Sequence, residues 1–320
     1  MADCMKAAAL LRGWDDILVL CHASPDGDTL GSAGALARGL GALGKRAFFA
    51  CGDKIDEKYS YLFEGLAPLG REPAHIVSVD VATPSLLGSL EEEYVGRIDL
   101  AIDHHSGHTL FARESWVEPD SAANSELIYL LLQELGVSID KAMADCLYTG
   151  ISTDTGCFRY ANVTPRTHRI AARLLELGAD GARINREMHE SKSKAQIEAE
   201  RILMESMAFS CGGKCAMVQV PLSIYERTGV QEGDLEGMAA LPRQIKGVLL
   251  GVTLKEKENG LVKGSVRSNP PANAREIGES FGGGGHPGAA GFTLPGMTLS
   301  QAAEKVEAAC REQLLRLGLL

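Results

Sequence analysis

Long apolar runs are missing from this sequence, and so is any low-complexity tract. No stretch approaches the roughly 18 consecutive apolar residues that a membrane-spanning helix needs, so no membrane span and no membrane partner are expected. The first residues carry one lysine and a short apolar patch, too little for a secretory leader, and the expected location is cytoplasmic. Zinc-type cysteine spacing is also lacking. Of eight cysteines only Cys211 and Cys215 lie close together, and the set reads as reduced, mostly buried thiols in a reducing compartment. Positive charge is scarce as well. With 32 Lys and Arg against 42 Asp and Glu, the net charge of −10 argues against a protein that coats long duplexes through phosphate contacts. A short anionic substrate stays open, provided that metal ions and a few local arginines supply the positive charge. No internal repeat at a fixed period is visible.

What is present is an ordinary globular composition over 320 residues, long enough for two domains. The first half alternates strand-like segments at 17–21, 46–51, 75–80 and 99–103 with helix-like segments at 29–43, 85–94 and 121–135. That alternation predicts an α/β fold with a mostly parallel sheet flanked by helices. Further helices are expected over 141–152 and 165–177, the second opened by Thr164-Pro165. The polar segment 189–205 reads as a helical linker whose charges form a solvated face. From Lys214 the pattern restarts as a smaller mixed α/β unit, with strands at 215–220, 247–255, 261–267 and 290–294 and helices at 274–281 and 299–315. The expected division is therefore 1–190, a linker at 191–210, and 211–320.

Ligand-type residues recur at the ends of the expected strands. His22-Ala23-Ser24-Pro25-Asp26-Gly27-Asp28 directly follows the first strand, where open α/β sheets bind ligands. Taken alone it is either a metal loop or a turn in which Asp28 caps the next helix. The third strand ends in Asp80, and the fourth in Asp103-His104-His105. Asp154 closes a helical run among Thr153, Thr155 and Gly156. Four such elements are hard to explain as solvated caps; an isolated His-His pair reads first as hydrogen-bonded core, and Asp103 with the other three elements turns that reading toward ligands. Mixed aspartate and histidine suits manganese, cobalt or iron better than magnesium, calcium or zinc. About seven ligands over-supply one ion, and two ions roughly 3.5–4 Å apart sharing a carboxylate use them economically. In the second half, Gly282-Gly283-Gly284-Gly285-His286 follows a strand carrying Arg267 and Ser268. It reads as a flexible turn or as a loop whose amides, with Arg267 and His286, clamp a phosphate and base. Arg159 is a further substrate-binding candidate, or an internal ion pair to the acidic site; Ser268 and Asn273 are lesser ones.

The order His22-x-x-x-Asp26-x-Asp28, Val79-Asp80, Asp103-His104-His105 and Asp154-Thr155-Gly156 resembles the four motifs of the DHH phosphoesterase superfamily. The glycine run with His286 resembles the DHH-associated C-terminal domain, so the resemblance spans nearly the whole chain. Within the superfamily, Asp154 to Tyr160 and Ser265-Val266-Arg267-Ser268 are similar to the nanoRNase and 3′-phosphoadenosine 5′-phosphate phosphatase (NrnA-like) group. The resemblance implies a catalytic first domain, a substrate-binding second domain and a homodimer. It implies that His22 and Asp26 hold one metal ion, Asp28, His104 and Asp154 the other, with Asp80 bridging. Asp103 would orient His104, and His105 would face the substrate phosphate. One departure stands out: related proteins often carry an asparagine shortly after the paired histidines, where this chain has Ser106-Gly107-His108-Thr109. His108 reads either as a residue that tunes substrate choice or as part of an exposed turn, and the exposed turn is expected. The expected activity is a manganese-dependent, two-metal hydrolysis of short oligoribonucleotides from an end, and of 3′-phosphoadenosine 5′-phosphate. A soluble cyclic or linear dinucleotide phosphodiesterase is the alternative enzyme. A nucleotide-binding regulator without turnover is the alternative of another class, and the complete ligand set argues against it.

Overall fold

Ile17–Leu20 is buried along its whole length, as befits a central strand covered on both faces. Its side chains alternate between two cores. Ile17 and Val19 join one large cluster, Leu18 and Leu20 another with Phe48, Ile76 and Leu87. The computed structural model describes residues 2–66 and 72–320, and the chain divides into two units, Met1–Ser191 and Lys192–Leu320.

In the first unit, α1 (Cys4–Gly13), β1 (Ile17–Leu20), α2 (Gly27–Ala42), β2 (Ala47–Ala50), β3 (His75–Val79), α3 (Glu91–Tyr94), β4 (Leu100–Asp103) and β5 (Glu114–Val117) come first. Helices α4 (Asn124–Glu134), α5 (Lys141–Asp154), α6 (Pro165–Glu176) and α7 (Gly181–Asn185) follow. The strands lie in the order β2-β1-β3-β4-β5 and every neighbouring pair is parallel. The expected parallel sheet is thus present, with β5 and α1 in addition. Strand order reverses between β1 and β3, which opens a crevice at their carboxyl ends. The helix expected over 85–94 is instead a 3-10 segment, Pro84–Leu90, interrupted by Gly88 at φ 59°, before the single turn of α3.

Helices α2 and α5 cross at very short range. A Cβ on Gly31 would overlap the Cys146 carbonyl oxygen, and one on Gly150 would overlap Asp28 Oδ1. This closeness brings the first turn of α2, with Asp28, beside the last turn of α5, with Asp154.

The second unit holds α8 (Lys194–Glu205), β6 (Ala208–Ser210), β7 (Cys215–Val220), α9 (Ser223–Thr228), β8 (Leu250–Glu256), β9 (Leu261–Ser268), α10 (Ala274–Ser280), β10 (Gly284–His286), β11 (Ala289–Pro295) and α11 (Leu299–Arg316). Its sheet runs β10-β11-β9-β8-β7-β6, antiparallel except between β7 and β8. Helix α8 falls in the expected linker, and its Ala199 and Leu203 pack with Val218, Val220 and Leu235 of this unit. Among the described residues no helix is long and apolar enough to cross a membrane.

Because Gly31 faces backbone with no room to retreat, Gly31→Ala is expected to destabilise the protein by about 1–3 kcal/mol. Denaturant unfolding checks this, with Gly41→Ala, where a Cβ meets open space, as the comparison.

Candidate active site

The loops after β1, β3 and β4 and the end of α5 converge. His22 leaves β1 with Nδ1 donating to the Ala23 carbonyl at 2.8 Å, which directs Nε2 toward Asp26 Oδ1 at 3.7 Å and Asp80 Oδ2 at 3.6 Å. Asp26 is the residue that caps α2, accepting from the Asp28 and Thr29 amides at 2.9 and 3.1 Å. Asp28 therefore does not cap its own helix. It is buried, and it caps α4 from outside: its carboxylate accepts the Asn124 amide at 2.6 Å and the Ser125 amide at 2.9 Å.

Asp80 follows β3 at φ 60°, a left-handed conformation that aspartate tolerates better than most residues. Its oxygens face different imidazoles, Oδ2 toward His22 and Oδ1 toward His104 Nε2 at 3.4 Å. Asp80 Oδ1 is buried and accepts no hydrogen bond among the described residues. His104 donates from Nδ1 to the Ser121 carbonyl at 3.1 Å, and its Nε2 lies 3.8 Å from both Asp28 Oδ2 and Asp154 Oδ2.

Asp103 is fully buried, and the ring it orients is that of His105, not His104 as expected. Its Oδ1 accepts from His105 Nδ1 at 2.8 Å and from the His104 amide at 2.8 Å. Its Oδ2 accepts from His108 Nδ1 at 2.8 Å. The expectation of an exposed His108 is overturned: the side chain is 1% exposed, drawn inward by this bond and by the Phe111 ring. Its local sequence, Ser-Gly-His-Thr, carries only turn signals, and Phe111 three residues on is the one cue to burial.

The side chains gather into His22, Asp26 and Asp80; Asp28, His104 and Asp154; and Asp80, His104 and His105, each group with its ligand-type atoms within 4.8 Å of one another. Such groups can hold divalent cations, and the orphaned Asp80 Oδ1 is a buried acceptor that one would satisfy. The electrostatics agree. Burial, then the Asp80 charge, pushes the Asp28 carboxyl up to about 7. Burial and the Asp28 and Asp80 carboxylates push Asp154 well above its usual range. Desolvation works against the Asp26 charge, but His22 and the two capping amides hold it at about 2. Burial also opposes charge on His22 and His104, yet the surrounding carboxylates raise both to about 11. His105 is raised too, burial being outweighed by Asp103 and Asp80.

Residues of the second unit form a different group. Arg267 on β9 and His286 on β10 both stand opposite Ala289 of β11, so they share one row and one face of the sheet, two strand spacings or roughly 10 Å apart. Ser268 falls on the opposite face, buried, where its hydroxyl donates to the Pro287 carbonyl at 2.6 Å. The glycine run is not a free loop. Gly284–His286 is an edge strand, and Cβ atoms on Gly283 and Gly285 would overlap the Gly291 and Ala289 carbonyls. Arg159, in the turn after α5, donates from Nε to the Gly156 carbonyl at 2.5 Å.

The DHH family, N-terminal domain model matches residues 16–151, and the DHHA1 domain model matches 212–312. A bifunctional oligoribonuclease and PAP phosphatase NrnA of Thermus thermophilus is 36% identical over 312 residues, covering 95% of this chain and 92% of that protein. This chain belongs to the DHH family. A cyclic-di-AMP phosphodiesterase GdpP of Geobacillus thermodenitrificans is 26% identical, covering 95% of this chain and 48% of its own length. The crystal structure of an exopolyphosphatase-related protein from Bacteroides fragilis shares the fold, with TM-score 0.89, 24% identity and coverage of 98% and 97%. The DHH segment 103–105 thus sits at the carboxyl end of β4, inside the cluster described above.

Protons and a bound cation would compete at this centre. Asp28 is raised from 3.8 to about 7, so its contribution to stability is present at low pH and lost as pH rises through about 7. A bound cation offsets that loss. The rise in melting temperature on adding manganese is expected to be larger at pH 8 than at pH 6, with protons released on binding. Calorimetry with and without chelator checks both; an equal rise at the two pH values would remove Asp28 from the cation site.

Proposed function

We propose that this phosphoric ester hydrolase removes nucleotides from an end of short oligoribonucleotides and also dephosphorylates 3′-phosphoadenosine 5′-phosphate, using two divalent cations, manganese above all. The observation that carries the reading is Asp80, whose two oxygens face two separate histidine-carboxylate groups. The 36% identity to a protein named for both activities supports the substrate class. In this reading His22 and Asp26 would hold one cation and Asp28, His104 and Asp154 the other, with Asp80 available to both. Held there, such ions offset phosphate charge and make water acidic enough to attack phosphorus near neutral pH.

The chain's own residues do the rest. Asp103 fixes the proton of His105 on Nδ1 and so presents Nε2 outward; the raised basicity of His105 keeps a proton there for a phosphate oxygen or the departing oxygen. As attack proceeds, the bond from phosphorus to the leaving oxygen breaks and that oxygen takes up a proton. Arg267 and His286, on one sheet face beside the side-chain-free Gly284 and Gly291, bind the nucleotide end. Residues 1–190 then carry catalysis, 191–210 connect, and 211–320 bind substrate, in a cytoplasmic homodimer.

A second reading, cleavage of cyclic or linear dinucleotides, is favoured by the similarity to the Geobacillus phosphodiesterase. Mononucleotide release from di- to pentaribonucleotides, measured beside phosphate release from 3′-phosphoadenosine 5′-phosphate and cleavage of cyclic-di-AMP, ranks the substrates. Turnover is expected with manganese and not with chelator; none on any substrate would leave a nucleotide-binding regulator. Asp80→Ala is expected to bring activity to the chelator background and to lower metal content. Arg267→Ala should raise KM by about 10-fold or more with metal content intact, and loss of metal in that variant would refute the assigned division of labour.

A further inference from the structure

His108 lies outside every ligand group, yet its ring is enclosed beside Phe111 at 5.1 Å between centroids. Its Nδ1 donates to Asp103 Oδ2 at 2.8 Å, and its Nε2 is buried without a hydrogen-bond partner among the described residues. A carboxylate oxygen can only accept, so the proton in this bond is on His108 Nδ1. The bond matters because of what lies at the other end of Asp103. His105 Nδ1 has two carboxylate oxygens in reach, Asp103 Oδ1 at 2.8 Å and Asp80 Oδ1 at 3.5 Å. Were it to turn to Asp80, the oxygen otherwise left open at the centre would be consumed and the outward-facing nitrogen of His105 would move. A carboxylate held at one oxygen only can rotate about its last bond, whereas Asp103 is held at both.

We propose that His108 is a positioning residue: by holding Asp103 Oδ2 it keeps His105 Nδ1 on Asp103, aims His105 Nε2 at the substrate and leaves Asp80 Oδ1 open. The kinetic consequence rests on the hydrolase reading above; the structural one does not. An asparagine at this position can place its amide N–H where His108 Nδ1 stands, whereas a glutamine places it near Nε2.

The test compares His108→Phe, His108→Gln and His108→Asn with the unmutated protein loaded with manganese. His108→Phe and His108→Gln are expected to lower kcat on a diribonucleotide by about 10- to 100-fold with KM and manganese content unchanged, and His108→Asn to restore most of it. Nitrogen-15 spectra of labelled histidine, taken on the metal-free protein, supply a readout independent of turnover. The His105 Nδ1–H resonance is expected to persist in the unmutated protein and His108→Asn and to shift or vanish in the other two. Unchanged kcat in His108→Phe and His108→Gln, or an unchanged His105 resonance in both, overturns the proposal. Absence of turnover in the unmutated protein, with the resonances behaving as described, upholds the clamp and sinks the hydrolase reading instead.

Discussion

Holding Asp28, Asp80 and Asp154 close together at the edge of a sheet, against their mutual repulsion, is the constraint on which the rest of the first unit depends. Part of the compensation comes from backbone. Asp26 sits on the amides that open α2, and Asp28 on those that open α4, where the partial positive charge of a helix start favours an anion. The remainder of the negative charge is met by imidazoles, which is why His22 and His104 are so strongly raised. The framework that resists the repulsion is the close contact of α2 with α5. Its geometry is set by Gly31 against the Cys146 carbonyl, one helical turn beyond Asp28.

Three histidines reach the centre by the same device and to different ends. Each commits Nδ1 to an acceptor of the chain: His22 to the Ala23 carbonyl, His104 to the Ser121 carbonyl, His105 to the Asp103 carboxylate. A carbonyl fixes the tautomer and leaves the ring free to offer the Nε2 lone pair. The carboxylates that raise His22 and His104 lie on the Nε2 side, where a cation would compete for the same position. For His105 the main carboxylate lies on the Nδ1 side and continues to raise it whatever stands at Nε2. Two histidines are thus suited to be ligands and the third to carry a proton, a distinction visible only in the acceptors.

Much of this centre was legible in the sequence because its parts are local. An apolar run ended by aspartate marks a strand and its carboxyl end at once, and β1, β3 and β4 are all of this kind. Strand β5 escaped because Glu114–Val117 is short and only half apolar, and is recruited by parallel pairing with β4. His108 escaped for a related reason. Four turn-forming residues carry no sign that the second oxygen of Asp103 lies within reach, since that depends on how the chain folds back after β4. Nor does the sequence show that Asp28 also caps a helix, because that helix begins 96 residues later.

In the second unit the instructive case is Arg267-Ser268. Adjacent residues with polar side chains read naturally as one substrate-binding pair, but successive side chains of a strand point to opposite faces. Along β9 burial alternates, with Ser268 inside and Arg267 on the outer face. The partner of Arg267 on that face is set by register: Ala289 lies opposite it, and His286 lies opposite Ala289 from the other side. The glycines fit the same geometry. Gly283 and Gly285 are small because β11 passes close to them, while Gly284, with open space at its Cβ position, lies on the outer face beside His286. A run of four identical residues therefore serves two purposes, and only the pairing of β10 with β11 separates the glycines that let the strand pack from the one that keeps the outer face bare.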